Sequence, residues 1–289
     1  MDPTWHLPRY ITMDRRELQQ SILEKLKLHI EIDEAHRLSK YLVEDLVPLS
    51  AEVSGDIEDK LSLAAQRIIE GEPIQYITNR SDFYGYQYFV NESVLIPRPE
   101  TEELVYQVLQ HLKGLNKTKS NIIDIGTGSG CIPITIKSEY QDCIMSAIDI
   151  SNEALRIAIR NANAHCAEVT FWNCDILAVI DRSIEKPYDV IISNPPYIPH
   201  SETDVMGDST VKHEPHIALF TDDEFGLVFY QRIADICEFW LAQDGAIFLE
   251  LNEYHSDKIK DIYLQNGSFS TVEIIDDMQG KPRILKAVR

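Results

Sequence analysis

Residues 122–133 read IIDIGTGSGCIP: a β-branched apolar run, three glycines at alternate positions, then a segment able to open a helix. Gly126, Gly128 and Gly130 allow close approach of the backbone to a ligand and torsions closed to other residues. Outward from this corner, strand-like runs (NIIDIG, CIMSAIDI, VTFWNCD, YDVIISN, GAIFLEL, TVEII, RILKAVR) recur with helical intervals between most of them. That alternation predicts an α/β fold, a doubly wound, Rossmann-like, mostly parallel sheet of seven strands. The DDMQGKP turn between the last two runs is too short for a helical crossover, so the final pair is expected to be antiparallel.

The front of the chain differs. RRELQQSILEKLKLHI, DEAHRLSKYLVEDL and DIEDKLSLAAQRIIEG carry apolar residues at three- and four-residue spacing and predict a small helical bundle. FYGYQYFVNESVLIPRPE alternates aromatics and valines around Gly85 and Asn91, which predicts a β-hairpin, and Pro97 and Pro99 suit a rigid entry to a helix near Glu100. The expected organisation is a helical domain over 1–78, a hairpin connector over 79–99 and a catalytic domain over 100–289.

The 289 residues are 44% hydrophobic and 26% charged, an ordinary globular balance. No stretch approaches the roughly 18 consecutive apolar residues of a membrane helix, and MDPTWHLPRY lacks the apolar centre of a signal peptide, so a cytoplasmic protein with no membrane role is expected. Five scattered cysteines with no CxxC pair predict reduced thiols and no metal site. A formal charge of -20 repels a phosphate backbone, so direct nucleic-acid binding is not expected.

Several residues around the sheet's ligand-binding edge carry candidate chemistry. The G-x-G-x-x-G dinucleotide pattern would need glycine at 131, where Cys131 stands, and Asp124 would repel a pyrophosphate while suiting a cation. A nucleoside with positive charge nearby follows. Asp149, at a strand end about twenty residues past the turn, is placed to accept both ribose hydroxyls. The alternative, an N-cap for SNEALRIAIRNA, is equally open to Ser151 or Asn152. Asp175 ends the third strand and could receive the exocyclic amine of adenine or serve as a loop residue.

YDVIISNPPYIP, residues 188–199, runs a buried-looking strand into residues that must stop it. The Asn194 side-chain oxygen and the Pro195 carbonyl together present two acceptors to one NH2 group. A planar nitrogen is a poor nucleophile, and aiming it in line at an activated methyl recovers rate through orientation. Tyr197 adds an aromatic face for the planar group.

IDIGTGSGCIPI, AIDIS with the following helix, and ISNPPYI resemble class I S-adenosylmethionine-dependent methyltransferases of planar nitrogens. GEPIQYI, FYGYQYFV, VLIPRPETEELV, EPHIALF, FGLVFY and DDMQGKPRILKAVR further resemble the peptide chain release factor glutamine methyltransferases. The resemblance starts near residue 13. It implies methylation of the glutamine amide of the Gly-Gly-Gln loop of class I release factors, with S-adenosyl-L-methionine as cofactor and S-adenosyl-L-homocysteine as product. It places Asp124, Gly126, Thr127, Gly128, Ser129, Gly130, Asp149, Ile150, Asp175, Ile176 and Asn194 at the cofactor. Asn194, Pro195, Pro196 and Tyr197 would form the glutamine pocket and carry catalysis. The helical domain would help recognise the release factor, and the protein is expected to be a monomer. Arg98, Pro99 and Glu100 fall where an ion pair or a functional contact is possible.

Some positions depart from the family's pattern. Asn79 stands where glycine is usual, Asn252 and His255 lie in LELNEYHSD where Glu-Ile-Gly and a glutamine are usual, and Ile176 stands where some relatives have tryptophan. Both asparagines are expected to take left-handed torsions. MDPTWHLPRYIT lies outside the resemblance and is expected to be disordered. Two rival readings are an adenine amino-methyltransferase of DNA, which shares the Asn-Pro-Pro-Tyr motif, and a noncatalytic factor-binding protein with a nucleoside pocket. A nicotinamide oxidoreductase is disfavoured by Cys131.

Overall fold

The computed structural model describes residues 14–49, 55–115, 117–178, 187–205 and 207–289. The leading dodecapeptide, expected to be disordered, lies outside them. The chain divides into two compact units, residues 1–79 and 80–289.

The first unit holds helices α1 (Arg15–Leu26), α2 (Ile32–Leu46), α3 (Gly55–Ile69) and the short α4 (Ile74–Thr78), the last of which the periodicity did not announce. Asp14 starts α1 with a capping box: its side chain takes the Arg16 and Glu17 amides while Glu17 takes the Asp14 N–H. Leu18, Ile22, Leu26, Leu42, Leu61 and Ala65 form the core of the bundle. Asn79 ends α4 in the left-handed region at φ 55, a torsion asparagine tolerates better than other non-glycine residues.

The second unit opens with the hairpin β1 (Ser81–Phe83) and β2 (Tyr86–Tyr88), followed by α5 (Pro99–Gly114) with proline at its first position. Then come β3 (Ser120–Ile125), α6 (Cys131–Glu139), β4 (Cys143–Asp149), α7 (Asn152–Ala164), β5 (Val169–Asn173) and β6 (Tyr188–Ser193). The remainder comprises β7 (Ile198–Pro199), α8 (Asp208–His213), β8 (Phe220–Thr221), α9 (Val228–Trp240), β9 (Leu241–Glu250), α10 (Ser256–Asn266), β10 (Thr271–Asp276) and β11 (Pro282–Val288).

Seven strands form one sheet in the order β10-β11-β9-β6-β3-β4-β5, with β11 antiparallel to both β9 and β10 and every other pairing parallel. Successive residues of the central strands feed opposite faces. Ile122, Val190, Ile192 and Phe248 pack with Leu104, Val108 and Ile132, while Ile123, Ile191, Ile247 and Leu249 pack with Tyr230, Ile233, Trp240 and Tyr263. Both faces being apolar is why these strands read as continuous β-branched runs.

The strand order reverses between β3 and β6, which are neighbours in the sheet although β4 and β5 intervene in the chain. The crevice outside the carboxyl ends at such a reversal is the place where open α/β sheets bind ligands. The glycine turn follows β3 and Asn194 follows β6, so the sheet delivers both motifs to one spot.

Candidate active site

Two cavities meet at that crevice. The larger, about 550 Å³, is lined among others by Gly126, Gly128, Asp149, Asp175, Ile176 and Asn194. The smaller, about 220 Å³, is lined by Arg98, Asn194, Pro195, Tyr197, Glu250 and others. Leu95, Asn194 and Ala218 belong to the walls of both.

The floor of the larger cavity is the turn after β3. Gly126 and Gly128 adopt φ 74 and 53, and a Cβ on either would meet nothing within 4 Å, so their lack of side chains leaves a bare surface. Asp149 braces this floor: one carboxylate oxygen accepts the Gly128 N–H at 2.8 Å and the other the Ser151 N–H at 2.9 Å. Burial pushes its carboxyl above the ordinary range, with those amides pulling the other way. The α7 cap is Ser151, whose hydroxyl accepts the Ala154 N–H at 3.1 Å, so Asp149 is free of that duty. Asp175 takes the Leu177 N–H at 2.9 Å and stands in the cavity wall with half-exposed Ile150 and buried Ile176.

Asp124, Thr127, Ser129 and Gly130 do not line the cavity; the first three are buried and Gly130 precedes α6. Asp124 is fully buried; no group among the described residues makes a well-formed hydrogen bond to either of its oxygens, and burial pushes its carboxyl up to about 7, with the nearby Thr127 hydroxyl pulling the other way and the Asp149 charge adding to the rise. A buried carboxyl beside the turn with no cation paired to it fits a cationic group in the adjoining cavity, which would favour its charged form.

The smaller cavity is built around Glu250, the last residue of β9, which is 2% exposed. Its Oε2 accepts the Thr101 hydroxyl at 2.6 Å, and Thr101 Oγ1 accepts the Asn194 amide at 3.1 Å. Its Oε1 lies 3.5 Å from the donating Tyr197 hydroxyl, and its backbone carbonyl takes the Tyr230 hydroxyl at 2.9 Å. Burial pushes the Glu250 carboxyl up to about 7, against the pull of Thr101 and Arg283. Burial raises the Tyr197 phenol as well. Arg98 pairs with Glu214, which also accepts the Ile96 N–H at 3.2 Å. The Arg98 junction is therefore an ion pair.

Sequence reasoning missed Thr101, Glu214, Glu250 and Gly226. A Cβ on Gly226, at φ 66, would overlap the Tyr197 carbonyl, so glycine there lets two backbones touch. The torsion expected for Asn252 is corrected: it sits at φ -70, accepts the Tyr254 N–H at 3.0 Å and donates to the Tyr197 carbonyl at 3.3 Å. It acts as a cap and a brace, which its side chain does from ordinary extended backbone. Its neighbour His255 faces Glu202 at 3.3 Å.

Residues 104–233 match the family model of the methyltransferase small domain. The release factor glutamine methyltransferase of Lactococcus lactis is 36% identical over 271 residues, covering 93% of this chain and 96% of the relative. The enzyme of the same name from Bacteroides thetaiotaomicron is 38% identical over 253 residues, 87% of each chain. The chain belongs to the release factor glutamine methyltransferase family. Among solved structures, the hMettl16 catalytic domain shares the fold at TM-score 0.54 and 16% identity, covering 99% of this chain and 96% of that one. A Pyrococcus furiosus methyltransferase does so at TM-score 0.51 and 18% identity, covering 78% of this chain and 98% of that one. Within the family, the Asn-Pro-Pro-Tyr segment of this member occupies the wall between its two cavities. Its five cysteines are free, and no group of side chains able to hold a metal occurs among the described residues. No described helix is long and apolar enough to cross a membrane.

Proposed function

We propose that this protein transfers a methyl group from S-adenosylmethionine to the side-chain amide nitrogen of the glutamine in the Gly-Gly-Gln loop of class I release factors. The observation that carries this reading is the membership of Asn194 in both cavity walls, one large enough for a nucleoside and one suited to a side-chain carboxamide.

When bound, S-adenosylmethionine supplies an electrophilic methyl on a positively charged sulfur. Gly126 and Gly128 would carry it, Asp149 and Asp175 would accept from its ribose and base, and the Asp124 charge would favour its cationic end. Asn194 Oδ1 and the Pro195 carbonyl accept the two hydrogens of the glutamine amide and fix the direction of its nitrogen. Tyr197 offers its ring to the flat carboxamide, and Pro196 closes the corner. No strong base is needed: the nitrogen becomes acidic on gaining its fourth bond, and its proton leaves to solvent. Orientation by Asn194 accounts for about 3 to 4 kcal/mol, the scale for one positioned hydrogen-bonding group.

The helical unit, residues 1–79, would contribute to recognising the release factor. The formal charge of -20 suits a protein substrate better than a nucleic acid, and the enzyme would act as a cytoplasmic monomer. Labelled methyl from S-adenosylmethionine should appear on purified release factor, be absent from a Gln-to-Ala loop variant, and be absent from duplex DNA. Label on the DNA instead would reverse the assignment.

A further inference from the structure

An asparagine carboxamide fills almost the same space in either of its two flips, so packing alone does not decide which end faces a substrate. The choice falls to its hydrogen-bond partner. Here that partner is Thr101, in the first turn of α5 and 3% exposed. A threonine hydroxyl has one proton, and Thr101 commits it to Glu250 Oε2 at 2.6 Å. An ionised carboxylate is acceptor-only, so the direction of that bond is fixed while Glu250 carries its charge. Thr101 can then only accept from Asn194, and the Asn194 amide nitrogen sits 3.1 Å from Oγ1. The Asn194 oxygen is the end that remains for the cavities whose wall this residue forms.

Glu250 is itself held. Its backbone carbonyl takes the Tyr230 hydroxyl, which packs in the core, and its second oxygen faces the Tyr197 hydroxyl. One carboxylate at the end of β9 is thus connected to both ends of the Asn-Pro-Pro-Tyr segment.

We infer that Thr101 and Glu250 are positioning residues that lock the Asn194 carboxamide with its oxygen toward the methyl acceptor. The inference rests on the functional reading above. If the lock is lost, the Asn194 NH2 can turn toward the substrate NH2, placing donor against donor. Methyl transfer then slows while the cofactor, held mainly by the glycine turn and Asp149, still binds.

The test uses the full chain with Thr101→Val, Thr101→Ser, Glu250→Gln and the Thr101→Val/Glu250→Gln double variant. Transfer to purified release factor is read as kcat and KM at pH 8, where Glu250 carries its charge, and S-adenosylmethionine affinity is read separately by calorimetry at the same pH. The expected result is a kcat loss of tenfold or more in Thr101→Val, cofactor Kd within about threefold, and recovery to within threefold of wild type in Thr101→Ser. The double variant should be no worse than the poorer single variant, because both break one relay. The Asn194 side-chain amide resonance, identified by its loss in Asn194→Ala, should shift in Thr101→Val and not in Thr101→Ser. A Thr101→Val enzyme within twofold of wild-type kcat, or one losing cofactor affinity as fast as turnover, overturns the inference. A wild-type protein that leaves the release factor unmethylated overturns the functional reading and the inference with it, whereas an active wild type with an active Thr101→Val overturns the inference alone.

Discussion

Arg98 and Glu214, 116 residues apart, form an ion pair in which the Glu214 side chain is 1% exposed and the Arg98 side chain 33% exposed. Removing the cation leaves a buried charge with, among the described residues, the Ile96 N–H alone to answer it. Arg98→Ala should therefore destabilise the fold by about 3 kcal/mol, the low end for a broken buried pair because Arg98 is partly wet. Glu214→Gln keeps an acceptor and carries no stranded charge, so its loss should be less than half as large. Denaturant midpoints of the two variants check the order.

Asn194→Ala removes the acceptor that aims the substrate nitrogen. Turnover should fall at least about a hundredfold, with S-adenosylmethionine affinity held within about threefold. A steady-state assay paired with calorimetry separates the two quantities, and near-wild-type turnover would refute the role.

Gly226→Ala places a methyl group on the Tyr197 carbonyl in a left-handed backbone, so the Asn-Pro-Pro-Tyr segment has to move. Misplacement of a positioning group by about 1 Å can lower rate on the order of a hundredfold. A drop of that size is expected although residue 226 adds nothing to the chemistry, and a kcat within threefold of wild type would show that the segment tolerates displacement.

Buried carboxyls give the protein an unusual stability profile. Glu250 and Asp124 are both pushed up to about 7, above ordinary values of 4.5 and 3.8. Between those limits the folded chain holds protons that the unfolded chain releases, so their contribution is greatest at low pH and fades as pH rises through 7. Over the whole interval each is worth on the order of 3 to 4 kcal/mol. The groups facing Glu250 are Arg283 on β11, Glu100 on α5 and the Tyr197 hydroxyl, with Thr101 beside them. The unfolding temperature should be higher at pH 5.5 than at pH 8, and Glu250→Gln should narrow that difference. No narrowing in either Glu250→Gln or Asp124→Asn would exclude these carboxyls as its source.

Local patterns carried the parts of this structure that depend on neighbours in the chain. Val190, Ile191 and Ile192 announce a central strand because both faces are covered, and Cys131 in place of a third-spaced glycine separates this turn from dinucleotide-binding ones. Asn194 is legible because prolines stop its strand at the sheet's ligand edge. Thr101 and Glu250 were not legible: they lie 149 residues apart, and nothing in PETEEL or FLELNE marks one residue as the other's partner. Asn252 was misread because a glycine replacement suggests torsional need, whereas this asparagine uses its side chain to reach Tyr197.

Because Leu95, Asn194 and Ala218 face two hollows at once, the partition between them is a junction that one compound could straddle. An adenosine analogue tethered to a primary carboxamide would engage both sides, recovering in one molecule the entropy that two separate ligands lose. Its grip should exceed that of either fragment, and the spacer giving the tightest grip would act as a ruler for how far the methyl group travels.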